Sequence, residues 1–376
     1  MTRTHMATAA PAVVLAGQRI ELLDRARVYA CGITPYDVTH LGHAAAFAWV
    51  DTLGRTLRFL GVEPEVCRNV TDVDDVLDAA AGRAGAAYDT FAAIQQFQFD
   101  RDMAALNVRA PEHEPRAHRY VGQVIRLAAG LLDTGAAYAR DGSVHFRGTD
   151  VAARAGLDQA VALRLSREFG SRPEDPAKDD PLDVAVWQVS EPGHPAWDSP
   201  WGPGRPGWHA ECAAMAMSVF GSAVDVHAGG ADLQYPHHAY HAAMAETFTG
   251  VRPYARAWLH VGTVTVDGAK MAKSAGNLVL LDELLAGHPA AVVRLMILDR
   301  PWAESWDYQP GLLAAAQARL DGLYQAAARV APGEPAAVAE LSRLLATGLD
   351  VPAALDLAID AGGAPARSLA AILGLT

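Results

Sequence analysis

Two stretches of this 376-residue chain gather residue types suited to chemistry at a phosphate. In Cys31-Gly-Ile-Thr-Pro-Tyr-Asp37, followed by His40-Leu-Gly-His43, a thiol precedes two histidines around a glycine. In Lys270-Met-Ala-Lys-Ser274, two lysines stand in a Gly/Ser/Asn loop from Gly268 to Asn277. Histidines at a helix N-terminus can hold phosphates, and Gly42 lets backbone approach one. Lysines can neutralise charge building on a departing pyrophosphate. His40, His43, Lys270 and Lys273 are therefore candidate catalytic groups for nucleotidyl transfer from ATP, with Mg2+ accompanying the nucleotide. Each motif alone is also compatible with capping histidines or a solvated turn. Their wide separation in sequence suits two halves of one sheet meeting over a nucleotide.

A second constellation suits a metal. His237 and His241 are four apart, so on a helix they share a face. Zinc takes Cys and His ligands tetrahedrally. Cys31, Cys212, His237 and His241 then form a candidate Cys2His2 set drawn from three segments. The alternative is that the buried thiols are small hydrophobes and that the histidines, with adjacent His238, cover a helix surface. Cys67 sits inside an apolar run and is assigned to packing. Gly229-Gly230-Ala231-Asp232 offers room for adenine or ribose and a carboxylate for ribose hydroxyls, though alone it is a turn. Trp208, four before Cys212, fits either a core position or the wall of a small-substrate pocket. Asp72, Asp74 and Asp75 invite a magnesium reading. Capping and loop orientation are preferred for at least two of the three.

The elements that position these residues follow from periodicity. Val28 to Cys31 reads as a short buried strand, residues 40–60 as an amphipathic helix, and Pro64 to Val70 as a second strand. Strand, helix and strand in that span make a βαβ unit of a parallel sheet, whose carboxyl ends bind ligands. Residues 86–140 read as helical and Ala-rich, and Ser143 to Phe146 as a short strand of an inserted subdomain. Ser171 to Pro181 reads as a loop, Trp197 to Cys212 as a turn-rich segment feeding a helix. Val224 to His227 and Leu259 to Val266 read as further strands. From Leu281 to Thr376 the pattern is helical, with breaks near Pro332 and Pro352. No internal repeat is visible. Ala7 to Gly17 reads as a loose tail or short strand.

Composition sets the bounds. Hydrophobic residues make up 51% and charged residues 20%, enough for a large packed core. A formal net charge of −12 argues against affinity built on broad neutralisation of nucleic-acid phosphates. Three cysteines do not make a disulfide framework. No apolar run reaches membrane-spanning length. A cytoplasmic protein with no membrane partner is expected.

The motifs together resemble a known family. His40-Leu-Gly-His43 is similar to the HIGH motif of class I aminoacyl-tRNA synthetases, and Lys270-Met-Ala-Lys-Ser274 to their KMSKS loop. Asn69-Val-Thr-Asp-Val-Asp-Asp75, Gly207-Trp-His-Ala-Glu-Cys212 and Tyr235-Pro-His-His238 resemble the cysteinyl branch. Cys31 to Asp37, with Leu41-Gly-His43, looks more like that branch's shorter relatives, the mycothiol cysteine ligases. The resemblance covers about residues 25–320.

It implies an α/β fold of the Rossmann-like HUP type. A parallel sheet and catalytic domain over 20–280 would carry an inserted connective subdomain at about 95–185, with a C-terminal helical bundle over 281–376. It implies one zinc per chain on Cys31, Cys212 and His237, selecting L-cysteine through its thiolate, which serine cannot mimic. His241 aligns with a glutamate ligand of the synthetases and is a candidate fourth ligand. Trp208 would pack beside the cysteine side chain. Gly230, Ala231, Asp232 and Val264 would line the adenylate, with Gly32, Ile33, Thr34, Gly42, Asn69, Val70 and Thr71 near its aminoacyl end. The implied reaction joins cysteine to the amine of glucosaminyl-inositol at the expense of ATP.

Three departures mark the chain. Ala272 stands where the loop usually has serine, Ala46 where the ligases tend to have threonine. Ser171 to Pro176 only loosely echoes their acidic Gly-rich loop. About a hundred residues follow the lysine loop, acidic and Ala-rich, with no basic, aromatic-interleaved surface for RNA. That favours a small amine acceptor over tRNA. The competing expectations are a paralogue using a different amine, a truncated tRNA-charging enzyme, and a non-catalytic homologue that binds an amino acid or nucleotide.

Overall fold

The computed structural model describes residues 11–36, 38–272, 275–330 and 335–376. A hairpin of β1 (Ala12–Leu15) and β2 (Gln18–Glu21) precedes β3 (Arg25–Ile33), α1 (Leu41–Phe59), β4 (Glu63–Val70), α2 (Asp75–Ala84) and α3 (Tyr88–Ala105). Next come α4 (Val121–Asp133), β5 (Ala137–Arg140), β6 (Ser143–Phe146), α5 (Thr149–Arg154), α6 (Gln159–Glu168), β7 (Val184–Val189) and β8 (Gly204–Pro206). The chain returns through α7 (Trp208–Phe220), β9 (Val224–Gly230), α8 (Ala239–Thr249), β10 (Ala255–Val261), β11 (Val264–Val266) and β12 (Ala269–Lys270). It ends with α9 (Leu281–Gly287), α10 (Ala290–Leu298), β13 (Trp306–Asp307), α11 (Gly311–Ala327), α12 (Pro335–Ala346), α13 (Val351–Ala361) and α14 (Gly363–Ile372).

The central sheet is parallel, in the order β10-β9-β3-β4. The chain leaves β3 for β4 on one side, while β9 fills the other side of β3 later. The strand order therefore reverses at the carboxyl end of β3, where such sheets open a crevice for ligands. The interior strands are near-continuous apolar runs because both faces are covered. On α1, Leu41, Ala44, Ala45, Ala48, Leu53 and Leu57 are buried, and the helix packs against β4, β9 and β10.

A second, antiparallel sheet, β5-β6-β7-β8, lies between the two halves in sequence and has its own apolar cluster with α4 and α7. The C-terminal helices share a continuous core with the parallel sheet and α1. Arg294 of α10 is fully buried there. It pairs with Asp51 of α1 and donates to the carbonyls of Leu373, Leu106 and Asn107. Every charge-bearing nitrogen thus has a partner, the condition under which a buried cation is tolerated. Among the described residues no helix is long and apolar enough to cross a membrane.

Several expectations need correcting. The helical span read over 86–140 is two helices, α3 and α4, joined by an extended segment and closed by strand β5. That segment bridges to β4 at Cys67–His113 and Val70–Arg116, which the Ala-rich composition does not signal. The strand read over Leu259 to Val266 is β10 and β11, interrupted at Gly262 and Thr263. Gly262 must be bare, since a Cβ would lie 2.1 Å from the Glu304 carbonyl oxygen. Pro352 sits in the first turn of α13, where its missing N–H costs nothing, so it marks a start. The break expected near Pro332 lies outside the described residues, as do Ala7 to Ala10 of the tail.

Candidate active site

All four central strands end at one cleft of ≈ 730 Å³. The sheet delivers Cys31, Gly32, Ile33, Asn69, Thr71 and Gly230 to it, α1 delivers His40, Gly42 and His43, and α7 delivers Trp208 and Cys212. His237, Asp232, Val264 and Lys270 complete the expected set along the wall. Val70, Ala231 and His241 do not line this cleft. Lys273 lies outside the described residues.

At the deep end, ligand atoms of Cys31, Cys212 and His237 lie within 4.8 Å of one another, and all three residues are buried. His237 Nε2 is 3.3 Å from Cys212 Sγ. Its Nδ1 is 2.9 Å from His209 Nδ1, which fixes the ring and leaves Nε2 aimed at the thiols. Burial, then the neighbouring histidines, pulls the His237 ring well below its ordinary value, so it is a neutral imidazole, the form that ligates metal. Burial pushes the Cys31 thiol well up, and its hydrogen bond and proximity to Cys212 push further. Without a cation the Cys31 sulfur stays protonated. Two buried thiols and one neutral imidazole converging on one point therefore fit a zinc ion, with a fourth tetrahedral position left over.

His241 occupies a different place. Its ligand atom groups with those of Cys31 and His227, again within 4.8 Å, rather than with Cys212 and His237.

Trp208 begins α7, one turn before Cys212, and stacks on His237 with centroids 4.0 Å apart. Phe169, at the end of α6, also stacks on Trp208, 5.9 Å away. Together they make an aromatic wall beside the thiols. Gly32 sets the floor. A Cβ there would lie 1.6 Å from the Asn69 carbonyl oxygen, so only glycine fits. Its N–H donates to Asn69 Oδ1 at 3.0 Å, and Asn69 Nδ2 is 3.4 Å from Cys212 Sγ. Thr34 and Thr71 join hydroxyls at 2.8 Å across the mouth.

At the other end His40 caps α1, its Nδ1 accepting from the Gly42 N–H at 3.1 Å. His43 stacks on His40 at 3.8 Å. Burial, then the charge of His40, pulls the His43 ring down to about 3. His43 Nδ1 is sealed from solvent and has no hydrogen-bond partner. A neutral ring lining the cleft beside a helix N-terminus is suited to meet a phosphate oxygen. Across the cleft Lys270 Nζ is 2.6 Å from Asp232 Oδ2. Asn277 folds the lysine loop on itself, accepting from the Ala272 N–H at 2.9 Å and donating to the Lys270 carbonyl at 3.3 Å.

The aspartates after β4 behave as caps and anchors. Asp74 caps α2 by accepting from the Val76 N–H at 2.7 Å. Asp72 accepts from the His118 backbone at 3.0 Å, and Asp75 pairs with Arg205 at 2.7 Å. Sequence reasoning missed Phe169, Glu168, His209 and His227. His209 was findable, because it lies three before Cys212 on one face of α7. Phe169 carries no signal, since its place depends on how the inserted segment folds back.

Comparison with known proteins identifies the family. The family model for the tRNA synthetases class I (C) catalytic domain matches residues 20–318. A protein of Rhodococcus jostii named L-cysteine:1D-myo-inositol 2-amino-2-deoxy-alpha-D-glucopyranoside ligase is 40% identical, the match covering 97% of this chain and 96% of that one. A Kineococcus radiotolerans protein of the same name is 43% identical over 92% of this chain and 85% of its own. Among solved structures, Mycobacterium tuberculosis methionyl-tRNA synthetase in complex with methionyl-adenylate superposes with a TM-score of 0.63 at 16% identity, covering 94% of this chain and 82% of that one. That likeness bears on the fold.

Proposed function

Since the chain belongs to the L-cysteine:1D-myo-inositol 2-amino-2-deoxy-alpha-D-glucopyranoside ligases and carries the tRNA synthetases class I (C) catalytic domain, we propose that it activates L-cysteine with ATP and passes the cysteinyl group to the amine of glucosaminyl-inositol. One observation carries the reading. A thiol–imidazole donor set and a histidine–lysine pair face each other across a single cleft at the sheet's switch point.

The reaction has two halves. The cysteine carboxylate attacks the α-phosphorus of ATP, and pyrophosphate leaves. The acceptor amine then attacks the acyl carbon, and AMP leaves with the bonding electron pair. Cys31, Cys212 and His237 would hold a zinc ion, which when bound would supply Lewis acidity toward the substrate's thiolate. Trp208 and Phe169 exclude water beside those donors. Asn69 and the Gly32 backbone hold the strand ends that border the reacting carboxylate. His40 and His43, with the N-terminus of α1, receive the phosphates, which arrive with Mg2+. Lys270 leaves Asp232 for the pyrophosphate as charge develops there, and Lys273 is assigned the same duty. Asp232 is then free to accept from the ribose. These roles are electrostatic, and no covalent enzyme intermediate is required.

A second reading keeps the chemistry and changes the acceptor. Ala46, one of the departures from the family pattern, lines the cleft, which favours a paralogue acting on a related amine. Exchange of labelled pyrophosphate into ATP tests the shared first half. It should depend on cysteine and not respond to serine. Exchange without any amino acid dependence would overturn activation of cysteine.

A further inference from the structure

We propose that Asp307 is a positioning residue for Lys270. It fixes the turn of the hairpin on which that lysine stands, and so sets where the ammonium group meets the pyrophosphate. The proposal rests on the role given to Lys270 above. Asp307 belongs to β13, the short strand after α10, and lies 39 positions beyond the turn residue Gly268.

The hairpin needs an anchor. β11 and β12 pair with Val266 opposite Ala269 and Thr265 opposite Lys270. That register leaves Asp267 and Gly268 to reverse the chain. Both have positive φ, 52° and 75°, the type I′ geometry that an Asp-Gly pair adopts. β12 is two exposed residues, so its own ladder holds it weakly. Asp307 supplies the rest. Its Oδ1 accepts from the Gly268 N–H at 2.8 Å and from the Thr265 hydroxyl at 2.7 Å. One oxygen thus ties the turn to the residue that faces Lys270. The same hydrogen bonds, from Gly268 first and then Thr265, hold the Asp307 carboxyl below the usual carboxylate range. An ionised acceptor makes such bonds roughly twice as strong as a neutral one.

The anchor is itself held. β13 runs parallel to β11, with Trp306 opposite Val264 and Asp307 opposite Thr265. The Trp306 N–H donates to the Thr263 carbonyl at 3.1 Å and the Tyr308 N–H to the Thr265 carbonyl at 2.8 Å, one on each side of Asp307. Arg300 covers the Trp306 ring, its Cζ 3.7 Å from the centroid. Lys270 Nζ pairs with Asp232, so Asp307 reaches the lysine through the backbone and not through its charge.

The test uses the full-length chain as parent, Asp307→Ala, Asp307→Asn, Lys270→Ala and the Asp307→Ala, Lys270→Ala double variant. Two readouts are taken: cysteine-dependent pyrophosphate exchange, and calorimetric titration with magnesium pyrophosphate in the absence of cysteine. Asp307→Ala should slow exchange about 10-fold or more, with KM for cysteine within about 2-fold of the parent. Asp307→Asn keeps an acceptor oxygen and should stay within about 3-fold of the parent rate. On the Lys270→Ala background, Asp307→Ala should cost less than about 2-fold, because the lysine it positions is gone. Pyrophosphate should bind about 10-fold more weakly to both alanine single variants and no more weakly still to the double variant. Losses that multiply in the double variant, a cysteine KM that rises in step with the fall in rate, or pyrophosphate affinity untouched by Asp307→Ala each overturn the inference. Parent protein without cysteine-dependent exchange overturns the proposed function instead, and the pyrophosphate titration then decides the role of Asp307 alone.

Discussion

Lys270 Nζ and Asp232 Oδ2 stand 2.6 Å apart, joining the lysine loop to the turn after β9 across the nucleotide end of the cleft. Lys270 is 60% exposed and Asp232 36%, so the pair adds little to stability. Its meaning is functional. The lysine is parked on a carboxylate from which a phosphate can take it. Lys270→Ala should lower cysteine-dependent pyrophosphate exchange on the order of 100-fold, with thermal stability within about 0.5 kcal/mol of the parent. Rate and melting temperature, measured on the same preparation, check this. Loss of cysteine affinity in step with rate would make the loop structural. Ala272→Ser should leave the rate near that of the parent.

The deep end makes a separate prediction. Purified protein should hold zinc tightly on Cys31, Cys212 and His237, and Cys212→Ser should lose that metal and cysteine activation together. Elemental analysis beside pyrophosphate exchange is the check. Full exchange by rigorously metal-free protein would contradict it.

Gly32 predicts a stability effect with a local cause. Gly32→Ala would push a methyl into the Asn69 carbonyl, so β3 and β4 must part at their carboxyl ends. The expected loss is about 3 kcal/mol in denaturant unfolding, with poorer cysteine binding because Asn69 moves. A stable, fully active variant would show that these strand ends are looser than described.

Acid should weaken the fold early. The His43 ring is held down to about 3 by burial and then by His40, and the His260 ring to about 4 by burial. Both titrate near 6.5 when unfolded. Between those values the unfolded chain binds protons that the folded chain refuses. Stability is therefore full above about pH 6.5 and falls as pH drops toward 4, by at most about 1.4 kcal/mol per pH unit for each ring. Melting temperature across a pH series at constant ionic strength measures this. A flat profile down to about pH 5 would contradict the buried, neutral assignment.

What the sequence made legible is what local pattern encodes. The βαβ unit over β3, α1 and β4 follows from apolar periodicity, and the donors stand at element ends marked by glycine and by capping histidine. The antiparallel sheet was mostly hidden, because β5 and β6 are only four residues each and β8 three, too short for alternation to declare itself. The Arg294–Asp51 pair was invisible for another reason. Its partners are 243 residues apart, and an arginine in an apolar helix reads as a surface residue until the fold supplies four acceptors. His227 escaped notice because a lone histidine inside a strand has no partner in sequence. Its neighbours Cys31 and His241 arrive from other segments.

The most direct test of the central claim is mass spectrometry of a reaction holding the purified chain, ATP, Mg2+, L-cysteine and glucosaminyl-inositol, beside parallel reactions with related amines and with tRNA. The account predicts AMP and the cysteinyl amide of glucosaminyl-inositol in equal amounts, with no charged tRNA. Activation of cysteine with a different amine consumed would move the assignment to a paralogue. Charging of tRNA, or no amide and no AMP with zinc in place, would contradict the account.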